Sequence, residues 1–210
     1  IQVRDLDVAF DPVLQVPDFG NPEAYRQLGL VDVDVASEAE IERTNKFMGT
    51  STALWVEPLA EAGLIVAGES VVAFCDYDFE AEDPVYGMGP LAGAKILQRE
   101  SMQSLRERFG VRTVRLCYPA MATTALGAIP GGMMMYAVTA QILMERDAYQ
   151  TIDQLAAATM ALWSRDQPAD GELRLDTAYQ ATLPAFHERK DGLTPAMLPE
   201  AFSALFGKTL

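Results

Sequence analysis

Tyr86 and Lys95 are the residues of this 210-residue sequence whose types and spacing best fit joint chemistry. An ammonium close to a phenol favours phenolate and lowers the phenol pKa. A phenol tuned in this way can hydrogen-bond or protonate an oxyanion as it forms. On an unbroken helix, nine positions at 100° each leave the two side chains on opposite faces. Gly87, Gly89 and Pro90 argue against an unbroken helix. Pro90 suits a first helical turn, which puts Tyr86 in the loop just ahead of it. A tyrosine there can fold back over the helix start and meet a lysine of the second turn. The same spacing also fits a packed tyrosine and a solvated lysine, and spacing alone leaves both open.

The elements that must position this pair form a strand–helix–strand unit. Val71 to Phe74 is an apolar run that predicts a buried strand, and the helix runs from about Tyr86 to Arg108. A second apolar strand, Val111 to Cys117, leads into a small-residue loop from Pro119 to Gly132. Ahead of this unit, residues 1–10 read as a strand, the Pro-rich stretch after them as an extended loop, and PEAYRQLGL as a short helix ended by Gly29. Val31 to Val35 suggests an edge strand. Ser37 with Glu40 makes a capping box for a helix from Glu38, with Ile41 and Phe47 or Met48 on its apolar side. A second helix, Ala53 to Ala62, carries Trp55 as a core anchor and ends at Gly63. Behind the unit come an apolar helix from Met133 to Arg146 and an amphipathic one from Tyr149 to Trp163. A turn from Gln167 to Gly171, a short strand from Glu172 to Asp176 and a small helical piece around Pro199 to Phe206 follow.

Composition narrows the function classes. Half of the residues are hydrophobic, which predicts a globular chain with a full core. A net charge of −14 argues against nucleic acid and anionic membrane surfaces as partners. Cys75 and Cys117 fall in predicted strands and read as buried core thiols, too few for a zinc site or a disulfide framework. The acids from Asp76 to Asp83 could bind a divalent cation, but their spacing matches no calcium loop and a solvated acidic loop is the plainer reading. No metal is therefore expected. His187 is the single histidine and lies in a charged HERK stretch, which in practice excludes Ser-His-Asp hydrolysis. Without a signal peptide or a membrane-length apolar run, the cytoplasm is the expected location.

Several motifs then add up in order. Tyr86-x8-Lys95 opens a long helix, a strand follows, and Thr123 stands with four residues between it and AIP at 128–130. VASEAEIERTNKFMG, LW, EAGLI and a strand ending in Tyr77 precede them; AIPGGMMMYAVTAQILMER and DGELRLD follow. Over about residues 33 to 180, this order resembles trans-2-enoyl-CoA or enoyl-acyl-carrier-protein reductases of the FabV type, large relatives of the short-chain dehydrogenases. The resemblance implies reduction of a trans-2-enoyl-CoA or enoyl-ACP thioester with NADH or NADPH in fatty-acid metabolism. It implies Tyr86 and Lys95 as catalytic residues, with Lys95 also on the cofactor ribose. Thr123, Ala128 and Ile129 would lie along the cofactor, and Tyr77, Met133 and Met134 on the substrate side. Two departures stand out: the family tends to have tyrosine where this chain has Asp76, and Gly131 and Gly132 replace bulkier residues.

The resemblance also implies a fold class: an α/β chain with a partial Rossmann-like sheet flanked by helices, lacking the N-terminal dinucleotide-binding half. Gly87-x-Gly89-x3-Gly93 does not supply that half, because it follows an acidic loop instead of a strand. NADH and NADPH stay undistinguished, since the deciding residue would lie in the missing part. The expected organisation is a single domain over 1–210, with an N-terminal segment 1–32, a catalytic region 33–180 and a tail 181–210. Three readings remain open. The chain is part of a larger reductase, or it is completed by another chain, or it is a redox-inactive descendant. Such a descendant would bind acyl thioesters or carrier protein, or carry out isomerisation or cyclisation in fatty-acid or polyketide metabolism. An open sheet edge predicts self-association or a partner chain.

Overall fold

The computed structural model describes residues 2–8, 25–81, 86–121, 126, 129–165 and 171–192. They fall into two compact units. One draws on 34–118 and 160–174, the other on 1–33, 119–159 and 175–210.

The first unit holds the predicted strand–helix–strand. Strand β3 (Val71–Asp76) pairs in parallel with β4 (Arg112–Cys117), and β5 (Gly171–Arg174) pairs in parallel on the far side of β4. Helix α3 (Pro90–Phe109) connects β3 to β4. It starts at Pro90 in its first turn, as expected, and ends at Gly110 in the left-handed region. Along the α3 stripe facing the sheet, Met102 and Leu105 form a core cluster with Phe74, Val56 and Val111. Helix α1 (Glu38–Thr44) begins with the predicted capping box: Ser37 Oγ accepts from Glu40 N–H and Glu40 accepts from Ser37 N–H. The chain continues through a π-helical turn at Asn45–Gly49 into α2 (Ser51–Glu61).

Three expectations for this unit need correction. Trp55 is no core anchor: it is 73% exposed. Val56 is the buried residue of α2, and a neighbour 100° away around the helix turns outward with Leu54 and Leu59. Ile41 and Phe47 are likewise exposed. Cys75 is exposed while Cys117 is buried. In β3, Phe74 and Asp76 point into the protein, so the alternation of a strand sends Cys75 to the opposite, open face.

In the other unit, β1 (Gln2–Val8) pairs antiparallel with β2 (Tyr25–Asp32). The helix expected at PEAYRQLGL is therefore a strand from Tyr25, and it absorbs the start of the edge strand expected at Val31. A nine-residue helix is marginal on its own, whereas a ladder to β1 satisfies the same backbone groups. Helix α4 (Gly132–Glu145) is buried nearly all round, as its apolar sequence predicts. Met134, Val138 and Ile142 of α4 pack against Phe186 of α7 (Leu183–Arg189). Arg189 closes the same pair of helices with a two-pronged ion pair to Glu145. Helices α5 (Ile152–Arg165) and α6 (Thr177–Gln180) and a 3-10 turn at Lys190–Gly192 complete the described elements. The predicted turn after Gln167 and the helical piece near Pro199 lie outside the described residues. No described helix is long and apolar enough to cross a membrane.

Candidate active site

The site forms where β3 ends, on the side of a parallel sheet at which α/β folds gather ligands. Lys95 sits one and a half turns into α3, on the same stripe as Met102 and Leu105. It is buried, so the solvated-lysine alternative falls away. Its Nζ donates to the Cys75 carbonyl at 2.6 Å and to Gln98 Oε1 at 3.1 Å. An ammonium carries three donors, so one N–H remains for a further partner. Burial holds the Lys95 pKa below the ordinary lysine value; the charge of Asp76 opposes this, and Arg99 and Arg115 add to it.

Tyr77 stands between the two residues singled out from the sequence. Lys95 Nζ lies 5.8 Å from the centre of the Tyr77 ring, within cation–π range. The Tyr77 ring in turn meets Tyr86 edge-to-face, with centroids 5.7 Å apart. Phe79 tilts against the other side of Tyr77 at 5.6 Å. Tyr86 lies in the loop ahead of Pro90, as the glycines and proline predict. Gly87 next to it is obligatory: a Cβ there would fall 1.8 Å from the Glu80 carbonyl oxygen. The close approach of these two loop segments is what brings Tyr86 over Tyr77.

β3 stops at Asp76, so Tyr77 is beyond the pleat and free of its period. Asp76 is buried and takes two arginines on one oxygen: Arg99 Nε and Arg115 Nε each donate to Oδ2 at 2.6 Å. Burial alone would raise the Asp76 pKa, but the Arg99 and Arg115 hydrogen bonds outweigh it and hold the carboxyl below the usual range. Arg115 also donates to Asp78 and Glu172, and Arg174 donates to the same two carboxylates. Asp76 and Asp78 are thus members of an arginine network and not a solvated acidic loop. No group of three or more potential metal ligands occurs among the described residues.

This network was not visible in the sequence as a unit. Its signal was Arg115, a charge set between the apolar Val114 and Leu116 of a predicted buried strand, which demands a partner. Of the other expected site residues, Thr123 and Ala128 lie outside the described residues. Ile129 is half-buried at the turn into α4, and its carbonyl accepts from Gly132 N–H at 2.8 Å. Gly131 takes the left-handed backbone (φ 71°) at that turn, a conformation that favours glycine. Met133 and Met134 are buried in their own unit, Met134 within the α4–α7 cluster.

Comparison with known proteins gives this arrangement a family. The model of the trans-2-enoyl-CoA reductase catalytic region matches residues 22–162. The trans-2-enoyl-CoA reductase of Euglena gracilis is 27% identical over 121 residues, covering 57% of this chain and 22% of that protein. An enoyl-acyl-carrier-protein reductase (NADH) of Chromohalobacter salexigens is 29% identical over 164 residues, covering 76% of this chain and 40% of its own. The crystal structure of Clostridium acetobutulicum trans-2-enoyl-CoA reductase in complex with NAD shares the fold at TM-score 0.66 and 18% identity, over 95% of this chain and 51% of that one. The chain spans at most about two fifths of the length of these curated relatives and about half of the solved structure. The α/β fold with a small parallel sheet is the one expected, and by its match over residues 22–162 the chain belongs to the trans-2-enoyl-CoA reductase catalytic-region family.

Proposed function

We propose that this chain is the catalytic region of a reductase acting on a trans-2-enoyl thioester of CoA or acyl carrier protein. The observation that carries the reading is the meeting of Lys95, Tyr77 and Tyr86 at the end of β3, in a chain of this family. Relatives described as NADH enzymes and solved with NAD support a nicotinamide cofactor, which supplies the hydride when bound. The third N–H of Lys95 suits a ribose hydroxyl, and Ile129 with the undescribed Thr123 and Ala128 would line the cofactor. No strand followed by a glycine-rich turn stands among the described residues to hold a pyrophosphate. That part of the site would come from another segment or another chain, which is also the basis for expecting association at the β3 edge.

In this reading charge gathers on the thioester oxygen as the β-carbon is reduced. Tyr86 donates a hydrogen bond to that oxygen and assists protonation of the enolate. Lys95, when protonated, favours the ionised phenol electrostatically. Tyr77 forms the substrate side of the cluster, with Met133 and Met134 as candidates for the acyl chain. The cytoplasm suits a substrate carried on CoA or on a carrier protein.

The test is NADH oxidation by the full-length protein with a crotonyl thioester, together with calorimetric binding of each ligand. Turnover should fall by about 100-fold or more in Tyr86→Phe and Lys95→Met, with the far-UV spectrum unchanged. Binding of the thioester without any nicotinamide signal would favour the redox-inactive reading instead, and binding of neither would end both.

A further inference from the structure

The arginine network does something beyond neutralising its own charges: it grips the Tyr77 peptide at both ends. Asp76 Oδ1 accepts from Tyr77 N–H at 2.8 Å. Arg99 uses Nε for Asp76 Oδ2 at 2.6 Å and Nη2 for the Tyr77 carbonyl at 3.1 Å. One guanidinium therefore bridges the carboxylate and the carbonyl on either side of the Tyr77 backbone. Arg115 secures Asp76 from the sheet through the same Oδ2. The Arg99 guanidinium also stacks over Phe79 at 5.5 Å, and Phe79 is the ring that backs Tyr77.

Stability alone is a poor account of this arrangement. Burying a carboxylate costs several kcal/mol, and apolar packing of similar volume often serves a fold as well or better. What apolar packing cannot do is fix the direction of a peptide that has already left its strand. Tyr77 follows directly on the last residue of the β3–β4 ladder, Asp76. The clamp meets the Tyr77 N–H and the Tyr77 carbonyl together, and so sets the direction from which its ring reaches Lys95 and Tyr86.

We propose that Arg99, anchored by Asp76, is a positioning residue: it holds the Tyr77 peptide so that the Tyr77 ring stays between Lys95 and Tyr86 during turnover. This rests on the reductase reading above. Lysine does not reproduce Arg99, because it offers one nitrogen where the planar guanidinium sets two, Nε on Asp76 Oδ2 and Nη2 on the Tyr77 carbonyl, in a fixed geometry.

The experiment uses the full-length protein labelled with 3-fluorotyrosine, with the Tyr77 signal assigned through Tyr77→Phe. Arg99→Met and Arg99→Lys should both shift or broaden the Tyr77 fluorine signal. Both should lower kcat for the crotonyl thioester about tenfold or more while KM for NADH stays within about twofold, as expected of a displaced substrate-side group. Arg108→Met, which removes an exposed ion pair with Glu57 on the same helix, should change neither. An unmoved Tyr77 signal in the Arg99 variants overturns the proposal. So does a moved signal with unchanged kcat. Failure of the reductase reading would appear separately, as a wild-type protein without turnover, and the clamp would then be judged on the fluorine signal alone.

Discussion

At its C-terminal half, α3 lays Met102 and Leu105 against Phe74, Val56 and Val111; at its N-terminal half the same stripe presents Lys95 and Gln98 to the end of β3. Both halves are buried, and both follow the three-and-four spacing of a helix on a sheet. One half gains stability by removing apolar surface from water. The other buries an ammonium whose pKa burial depresses. A lysine in that position is costly to the fold, and its cost is acceptable only because Cys75 and Gln98 meet it and Met102 and Leu105 anchor the helix further along. Stability and chemistry are thus divided along one helix.

The largest effect should come from removing the polar half. Lys95→Met is expected to reduce turnover by about 100- to 1,000-fold, with thermal unfolding little changed; steady-state kinetics beside calorimetry read both. A large loss of stability instead would erase the division. The apolar half should behave in the opposite way. Leu105→Ala is expected to cost about 2–5 kcal/mol in denaturant unfolding, while the folded fraction keeps its KM.

Gly87→Ala should have a smaller effect than either. The new Cβ would collide with the Glu80 carbonyl, so the Tyr86 loop must move. A loss of about tenfold in kcat/KM with the core intact is expected, and unchanged kinetics would separate Tyr86 from catalysis. Acid should give the smallest effect. The Asp76 carboxyl is held below its ordinary pKa in the folded protein, so the stability it contributes is complete at neutral pH and is lost as the pH falls below about 4, through the folded value. The melting temperature of the wild type should therefore drop more steeply below pH 4 than that of Asp76→Asn, whose deficit is already present at pH 7.

The sequence made the central unit legible because its signals are local. Pro90 and Gly110 mark the ends of α3, Ser37 and Glu40 open α1, and two apolar runs mark β3 and β4. Tyr86 in the loop and Lys95 in the helix followed from the same punctuation. What stayed hidden depends on partners distant in sequence. β2 read as a helix because nothing near Tyr25 announces β1 across the intervening residues. Trp55 and Cys75 read as core because size and apolarity do not say which face of an element is covered. The bridge from Asp76 to Arg99 and Arg115 spans 23 and 39 positions, beyond any spacing rule.

The outward turn of Cys75 leaves a native chemical handle beside the site. Its carbonyl receives the Lys95 bond while its thiol faces outward, and the other cysteine is enclosed. A thiol-directed fluorophore would therefore attach at one place, two residues from Tyr77, and its emission would register ligand arrival without any engineered substitution.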